Sequence, residues 1–373
     1  MRCEHAARGR NDLAVTALRI WIRDKCDEVI GKLFELIAAF VVQAERHAQT
    51  VMPGMTHLQA AQPVSFGHLC LAYAEMYMRD TRRFVQVREW LNESPLGACA
   101  LAGTSFNIDR AYTAAKLGFT RPTANSIDSV ADRDFVLDFL AACATTSIHA
   151  SRFAEDVVIW LTPQFGFLTL PDFLAGRSAI MPHKRNPDAL ELVRAKCGRI
   201  IGNLNTVQIV LKGLTMSYSR DMQEDKEATF DSADAICISL DVLRLVVEHL
   251  GVNEDVMRTA ANTGFTTSTD FADWITREKQ IPFRQSHHIV SSLVDLAQKN
   301  GCSLADLSPM VRAQVDERLG TPDWPQFSAD ESMSSRTSYG GTSPTCVLES
   351  AREMLRRVSN LKQIYNRDKE EIR

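Results

Sequence analysis

The chain has 373 residues, 45% of them hydrophobic and 24% charged, which is typical of a globular protein long enough for two or three domains. Its formal net charge of -4 gives no overall basic field, so composition does not support a nucleic-acid partner and favours small molecules. No apolar run approaches the length of a membrane span, and the first residues lack the apolar core of a secretory signal.

Helical periodicity dominates the first two thirds of the chain. Between Ile30 and Val41 the apolar residues recur every three or four positions while Lys32 and Glu35 lie off the stripe, which predicts a core-facing helix. No proline occurs from Asp188 to Ile281, so two long helices, or one helix broken around residues 215–227, are expected there. The apolar positions that predict them are Leu204, Val207, Leu211, Leu214, Ile236, Leu240, Leu243 and Val247.

The pattern changes after Gly251, where shorter helical stretches are separated by proline and glycine. They cover residues 270–279, 287–299 and 304–319 and predict a smaller C-terminal helical domain, with the chain divided into residues 1–255 and 256–373. Strand signals are sparse, because no Asn-Gly or Asp-Gly turn joins two alternating runs. We therefore expect a nearly all-α protein.

The cysteines point to a reducing compartment. There are nine of them, an odd number, and none form a CxxC pattern. Free thiols, a cytoplasmic location and no metal site are the resulting predictions.

The segment from Gly176 to Asp188 concentrates polar groups between glycine and proline. Ser178, Lys184 and Asn186 supply a hydroxyl, a cation and an amide, as expected of a mobile catalytic loop. The same residue types are also common in ordinary surface turns. The sequence of this segment leaves both interpretations open.

Three further polar segments lie within apolar, helical surroundings. Arg10 and Asn11 precede a helix and could bind a carboxylate, although a capped helix start explains them equally well. Residues 56–63 carry one threonine, one histidine and two glutamines, which is too polar for a simple core helix and favours a site. Residues 218–227 could be a solvated helix face or an interior polar patch.

Taken in order, these segments resemble the argininosuccinate lyases of the fumarase/aspartase superfamily, nearly from end to end. The matching stretches are HAARGRNDL, MPGMTHLQAAQPVSFGHLCLAYAEM, PLGACALAGTSFNIDR, NSIDSVADRDF, SAIMPHKRNPDALELVRAKCGR, DMQEDKE and SRTSYGGTSP. The resemblance implies an all-α, fumarase/aspartase-like long-helix bundle with a smaller C-terminal helical domain. It also implies a homotetramer whose sites are shared between subunits, and a reaction without a cofactor.

The resemblance further implies a β-elimination that cleaves argininosuccinate into fumarate and arginine, a step of arginine biosynthesis. Ser178 matches the base that removes a proton, and Lys184 belongs with it in the catalytic set. His57 matches a histidine assigned as acid or base, and its role is left open. The residues expected to bind substrate by the same resemblance are Arg10, Asn11, Thr56, Gln59, Asn186, Tyr218, Gln223 and Lys226.

The chain departs from the family pattern in and around these motifs. Arg177 stands in place of a glycine and Ala179 in place of a serine, and Gly9 replaces a serine in the first motif. A lost glycine would cost roughly 1 kcal/mol if position 177 needed an unusual backbone conformation. His183 is more typical of the adenylosuccinate lyase branch, which makes the substrate less certain than the chemistry.

The family normally has a further domain, on the order of a hundred residues, before the first motif, which begins here at His5. We therefore expect that an N-terminal domain is missing and that activity could be weakened. Two alternatives stay open. One is a lyase for another N-substituted aspartate, such as adenylosuccinate or an aminopolycarboxylate, and the other is a non-catalytic, crystallin-like homologue.

Overall fold

The computed structural model describes residues 7–371, with side chains described for residues 7–365. The helices, in chain order, are α1 (Arg10–Arg46), α2 (Phe66–Trp90), α3 (Arg110–Lys116), α4 (Ser126–Ala131), α5 (Asp134–Trp160), α6 (Asp188–Leu211), α7 (Asp225–His249), α8 (Glu254–Ala261), α9 (Ser268–Glu278), α10 (Phe283–Asn300), α11 (Pro309–Val315), α12 (Ala329–Ser335) and α13 (Pro344–Glu371). Two 3-10 helices cover Arg220–Gln223 and Glu317–Leu319. The predicted all-α class is confirmed.

The strands are short and form four separate pairs. They are β1 (Val51–Thr56), β2 (Gln59–Ser65), β3 (Glu93–Ser94), β4 (Arg121–Pro122), β5 (Leu168–Thr169), β6 (Gly176–Arg177), β7 (Arg185–Asn186) and β8 (Gly251–Val252). β1 pairs with β2, β3 with β4, β5 with β8, and β6 with β7. The β1–β2 hairpin contains no Asn-Gly or Asp-Gly, because His57 and Leu58 form its turn, and the sequence criterion therefore did not detect it.

Five of the six long helices, α1, α2, α5, α6 and α7, pack into one bundle around the main core. The predicted stripe of α1 is buried as expected, and Phe40 at its C-terminal half packs against Tyr73, Tyr77 and Phe153. The predicted break between α6 and α7 is also confirmed, with residues 212–224 forming the connection.

A second apolar cluster lies in the C-terminal third, around Phe271, Ile275 and Leu293. Arg312 stabilises it, because its guanidinium is buried, stacks on Trp324 and donates to the carbonyl oxygens of nearby loops. The last helix, α13, instead packs on α1 and α2. The division at residue 255 stays a prediction.

The bundle has two ends, named here from α1. The start end holds residues 7–12, the 91–133 segment and the 212–224 connection, which are tied together by the Arg133–Asp225 ion pair and by Arg19 donating to the Leu91 carbonyl. The hairpin end holds β1, β2 and residues 161–187. At this end the backbone N–H of Asn253 donates to the Phe167 carbonyl. α1 runs from one end to the other.

Candidate active site

The hairpin of β1 and β2 presents three predicted site residues to solvent. Thr56 pairs with Gln59, and between them His57 and Leu58 have φ of 56° and 57°. Two successive left-handed residues are the geometry of a type I′ turn, which favours asparagine and glycine. Backbone strain of this kind in residues with large side chains is most often found at functional sites. Thr56, His57 and Gln59 are all exposed.

The predicted catalytic loop is itself a small hairpin, in which β6 and β7 pair Gly176 with Asn186 and Arg177 with Arg185. The next rung is the Ser178 N–H donating to the Lys184 carbonyl at 3.2 Å. Ser178 and Lys184 therefore face each other across the base of the loop. Asn186 is half-buried beside them in β7.

The Ser178 hydroxyl lies at the positive ends of backbone dipoles. Its Oγ accepts from the Met181 N–H at 3.0 Å and from the Ile180 N–H at 3.4 Å. Donors fixed on an oxygen stabilise negative charge that develops there, so this geometry would lower the cost of forming an alkoxide. Among the described residues, the Lys184 ammonium has no ion-pair partner and is available to an anion.

Arg177 does not carry the strain that loss of a glycine suggested. Its φ is not in the left-handed region, because the residue lies in β6 and pairs in register with Arg185. A Cβ on Gly176 would lie 1.7 Å from a carboxylate oxygen of Asp188, so a larger residue there would have to displace the end of that side chain. The loop tolerates arginine at 177.

Arg10 and Asn11 lie in the first turn of α1 at the start end. Asn11 donates to the Ala100 carbonyl at 3.2 Å, which places the 96–108 loop beside both residues. Arg10 is exposed and, among the residues described, has no ion-pair partner. Gly9 at the N-cap fits where serine would not, because its Cβ would lie 2.6 Å from the Cys99 carbonyl carbon.

The residue missed by sequence reasoning at this end is Asp12. Its buried carboxylate accepts the N–H groups of Gly9, Gly97 and Cys99 at 2.8–3.0 Å. It therefore holds the 96–108 loop against Arg10. The available signal was the glycine- and alanine-rich stretch after Pro95, whose partner could not be identified from sequence alone.

Tyr218, Gln223 and Lys226 lie in or next to the connection between α6 and α7, also at the start end. Tyr218 is half-buried and Gln223 is exposed. Lys226 contacts the buried Asp225 at 2.6 Å, and Asp225 also pairs with Arg133 at 2.5 Å. This charged cluster fixes the start of α7.

The structure thus divides the predicted site residues into two groups. Arg10, Asn11, Tyr218, Gln223 and Lys226 lie at the start end, whereas Thr56, His57, Gln59, Ser178, Lys184 and Asn186 lie at the hairpin end. α1, with its 37 residues, separates the two ends by about 55 Å at 1.5 Å per residue. Within one chain the two groups cannot touch one small molecule.

The long-helix bundle and the serine-bearing loop agree with a family of lyases. A family model described as "Lyase" matches residues 3–202, more than half of the chain, and the protein belongs to this family. A second model, described as "Argininosuccinate lyase C-terminal", matches residues 265–333. The first model covers α1, α2, α5 and most of α6, and the second covers the second apolar cluster.

Solved structures of related enzymes have the same fold. EDDS lyase in complex with formate is 28% identical with a TM-score of 0.85, covering 98% of this chain and 76% of its own. An EDDS lyase variant with bound fumarate is 27% identical with a TM-score of 0.84, covering 98% and 78%. The 3-carboxy-cis,cis-muconate lactonizing enzyme from Pseudomonas putida is 20% identical with a TM-score of 0.74, covering 95% and 77%, and shows the fold alone.

The fold is therefore that of the fumarase/aspartase superfamily. Within residues 7–371, no helix is both long and apolar enough to cross a membrane.

Proposed function

We propose that the protein is a carbon–nitrogen lyase that releases fumarate from an N-substituted aspartate by β-elimination. The observation that carries this proposal is the Ser178 hydroxyl, which accepts two backbone N–H groups and faces Lys184 across the loop. A serine alcohol is a base only when its alkoxide is stabilised. The loop supplies donors for that purpose.

In the proposed reaction, Ser178 removes a proton from the succinyl carbon next to a carboxylate. Negative charge then spreads into that carboxylate, where Lys184 and Asn186 would stabilise it, before the carbon–nitrogen bond breaks. Arg10, Asn11, Thr56 and the start-end polar residues bind the remaining carboxylate and amine groups. The departing nitrogen takes up a proton, for which the exposed His57 is one available donor.

This reaction requires more than one chain, because the two groups of residues are about 55 Å apart. We therefore propose a homo-oligomer with sites shared between subunits. A tetramer is proposed, as the resemblance to argininosuccinate lyases implies. Support comes from the outer faces of the long helices, where large apolar side chains are exposed. These are Ile148, Leu192, Ile201, Ile209 and Ile238, which are 42–62% exposed.

Argininosuccinate is the first proposed substrate, and arginine biosynthesis the first proposed role, because the argininosuccinate lyase C-terminal model matches residues 265–333. An aminopolycarboxylate is the second candidate, favoured by the likeness to EDDS lyase over 98% of the chain. Both substrates carry a succinyl group on nitrogen, so the same loop serves either. The reducing cytoplasm is the proposed compartment, since each of the cysteines in the described part of the chain is a free thiol.

The test is a parallel assay of fumarate release, followed by its ultraviolet absorbance, with argininosuccinate, ethylenediaminedisuccinate, adenylosuccinate and simple N-substituted aspartates. Argininosuccinate is expected to give the highest kcat/KM. Preference for ethylenediaminedisuccinate would select the second candidate. Release from none of them by a correctly folded oligomer would refute the lyase proposal and favour the crystallin-like alternative.

A further inference from the structure

Asp172 lies six residues before Ser178, between β5 and β6, and bridges the two strands of the hairpin formed by β6 and β7. One carboxylate oxygen contacts the Arg177 guanidinium, and the other lies 2.5 Å from the Arg185 guanidinium. Arg177 and Arg185 stand directly opposite each other in the β6–β7 register. A single carboxylate therefore forms ion pairs with two facing cations on neighbouring strands.

These arginines are the chain neighbours of the reactive residues. Arg177 precedes Ser178, Arg185 follows Lys184, and the Ser178 N–H bonds to the Lys184 carbonyl on the next rung. β6 and β7 contain two residues each, and a pair of strands this short is not stable on backbone bonds alone. The orientation of Ser178 consequently depends on what closes the base of the hairpin.

We infer that Asp172 is a positioning residue for Ser178, holding Arg177 and Arg185 together so that the hydroxyl stays against its two backbone donors. The inference rests on the proposed function. Without the carboxylate, two like charges would face each other across the strand pair, which is destabilising. The bridge depends on the arginine at position 177, where the lyases that this chain resembles carry glycine.

The three side chains are 53–63% exposed, so their attraction is screened by salt. Two consequences separate this role from a general effect on folding. Raising the salt concentration should lower the wild-type kcat towards that of Asp172→Asn while leaving the variant unchanged. Removing Arg177 should remove most of the need for Asp172, because the facing pair of cations no longer exists.

The experiment compares wild type, D172N, D172E, R177G and D172N/R177G as full-length oligomers. It measures kcat and KM for fumarate release, together with hydrogen exchange of the backbone amides in residues 176–186. For D172N we expect roughly a tenfold lower kcat, a KM within about twofold of wild type, and faster exchange in the hairpin. D172E should recover part of the kcat, and D172N/R177G should resemble R177G.

The inference would be overturned by a D172N enzyme with unchanged kcat, or by a lowered kcat without faster exchange in the hairpin. Equal losses in D172N and D172N/R177G would also contradict it, since Asp172 would then act without Arg177. A wild-type protein that releases no fumarate refutes the proposed function instead. In that case the exchange comparison still decides whether Asp172 holds the hairpin.

Discussion

Two inactive variants of this protein should restore each other's activity when they are mixed. Arg10→Ala removes an exposed cation at the start end, and Ser178→Ala removes the proposed base at the hairpin end. Neither change touches the buried core, so both chains should fold and assemble. Each homo-oligomer alone should be nearly inactive, because every site lacks one required group.

The recovery expected from mixing follows from the geometry. Since α1, about 55 Å long, separates the ends that carry the two residues, each site must take Arg10 from one subunit and Ser178 from another. In a random one-to-one mixture, each contribution is intact half of the time. About one quarter of the sites are then complete, giving about 25% of wild-type activity.

A matched mixture decides between a shared site and a single-chain site. Wild type mixed one to one with the R10A/S178A double variant should also give about a quarter if the site is shared. A single-chain site predicts about half for this mixture and none for the mixture of single variants. Two affinity tags would verify that the subunits exchange, and verified exchange without recovery would refute the shared site.

Ser178→Ala should lower kcat by about a thousandfold or more while the substrate still binds, measured by fumarate release and by equilibrium binding; near-normal turnover would exclude Ser178 as the base. Asp225→Asn should cost about 3–5 kcal/mol of unfolding free energy in urea, because Arg133 would be left as a buried, unpaired charge, and a loss below about 1 kcal/mol would contradict this. Burial lowers the pKa of His47, so the unfolded chain binds a proton at a higher pH than the native protein does. The contribution of His47 to the free energy of unfolding is therefore fully present above about pH 6.5 and is lost as the pH falls below it. His47→Gln should reduce the drop in unfolding free energy between neutral and mildly acidic pH. An identical drop in the variant would argue against His47 as the source.

Helical elements were predictable because their signal is local. The stripe from Ile30 to Val41 and the predicted α7 series are buried. Of the series predicted for α6, Val207 is buried, Leu204 and Leu211 are half-buried, and Leu214 lies beyond the end of the helix. Boundaries were predicted less well where turn chemistry intervenes. Residues 304–319 were expected to be one helical stretch, but α11 begins only at Pro309, where the Ser308 hydroxyl caps the helix.

The β1–β2 hairpin was missed because its turn contradicts the residue preferences on which prediction relies. His57 and Leu58 adopt left-handed conformations that asparagine and glycine adopt at lower cost. The polar letters of residues 56–63 did indicate a site. They could not indicate the backbone conformation of the turn.

The sequence by itself determined the helical class, the lyase motifs and the identity of the loop serine, because periodicity and residue chemistry are properties of neighbouring letters. Only the tertiary structure showed the backbone donors on the Ser178 hydroxyl and the carboxylate of Asp172 bridging two arginines. It also separated Arg10 from Ser178 by the length of α1. Contacts and distances of this kind depend on how the chain turns back on itself, which the order of motifs along the chain does not specify.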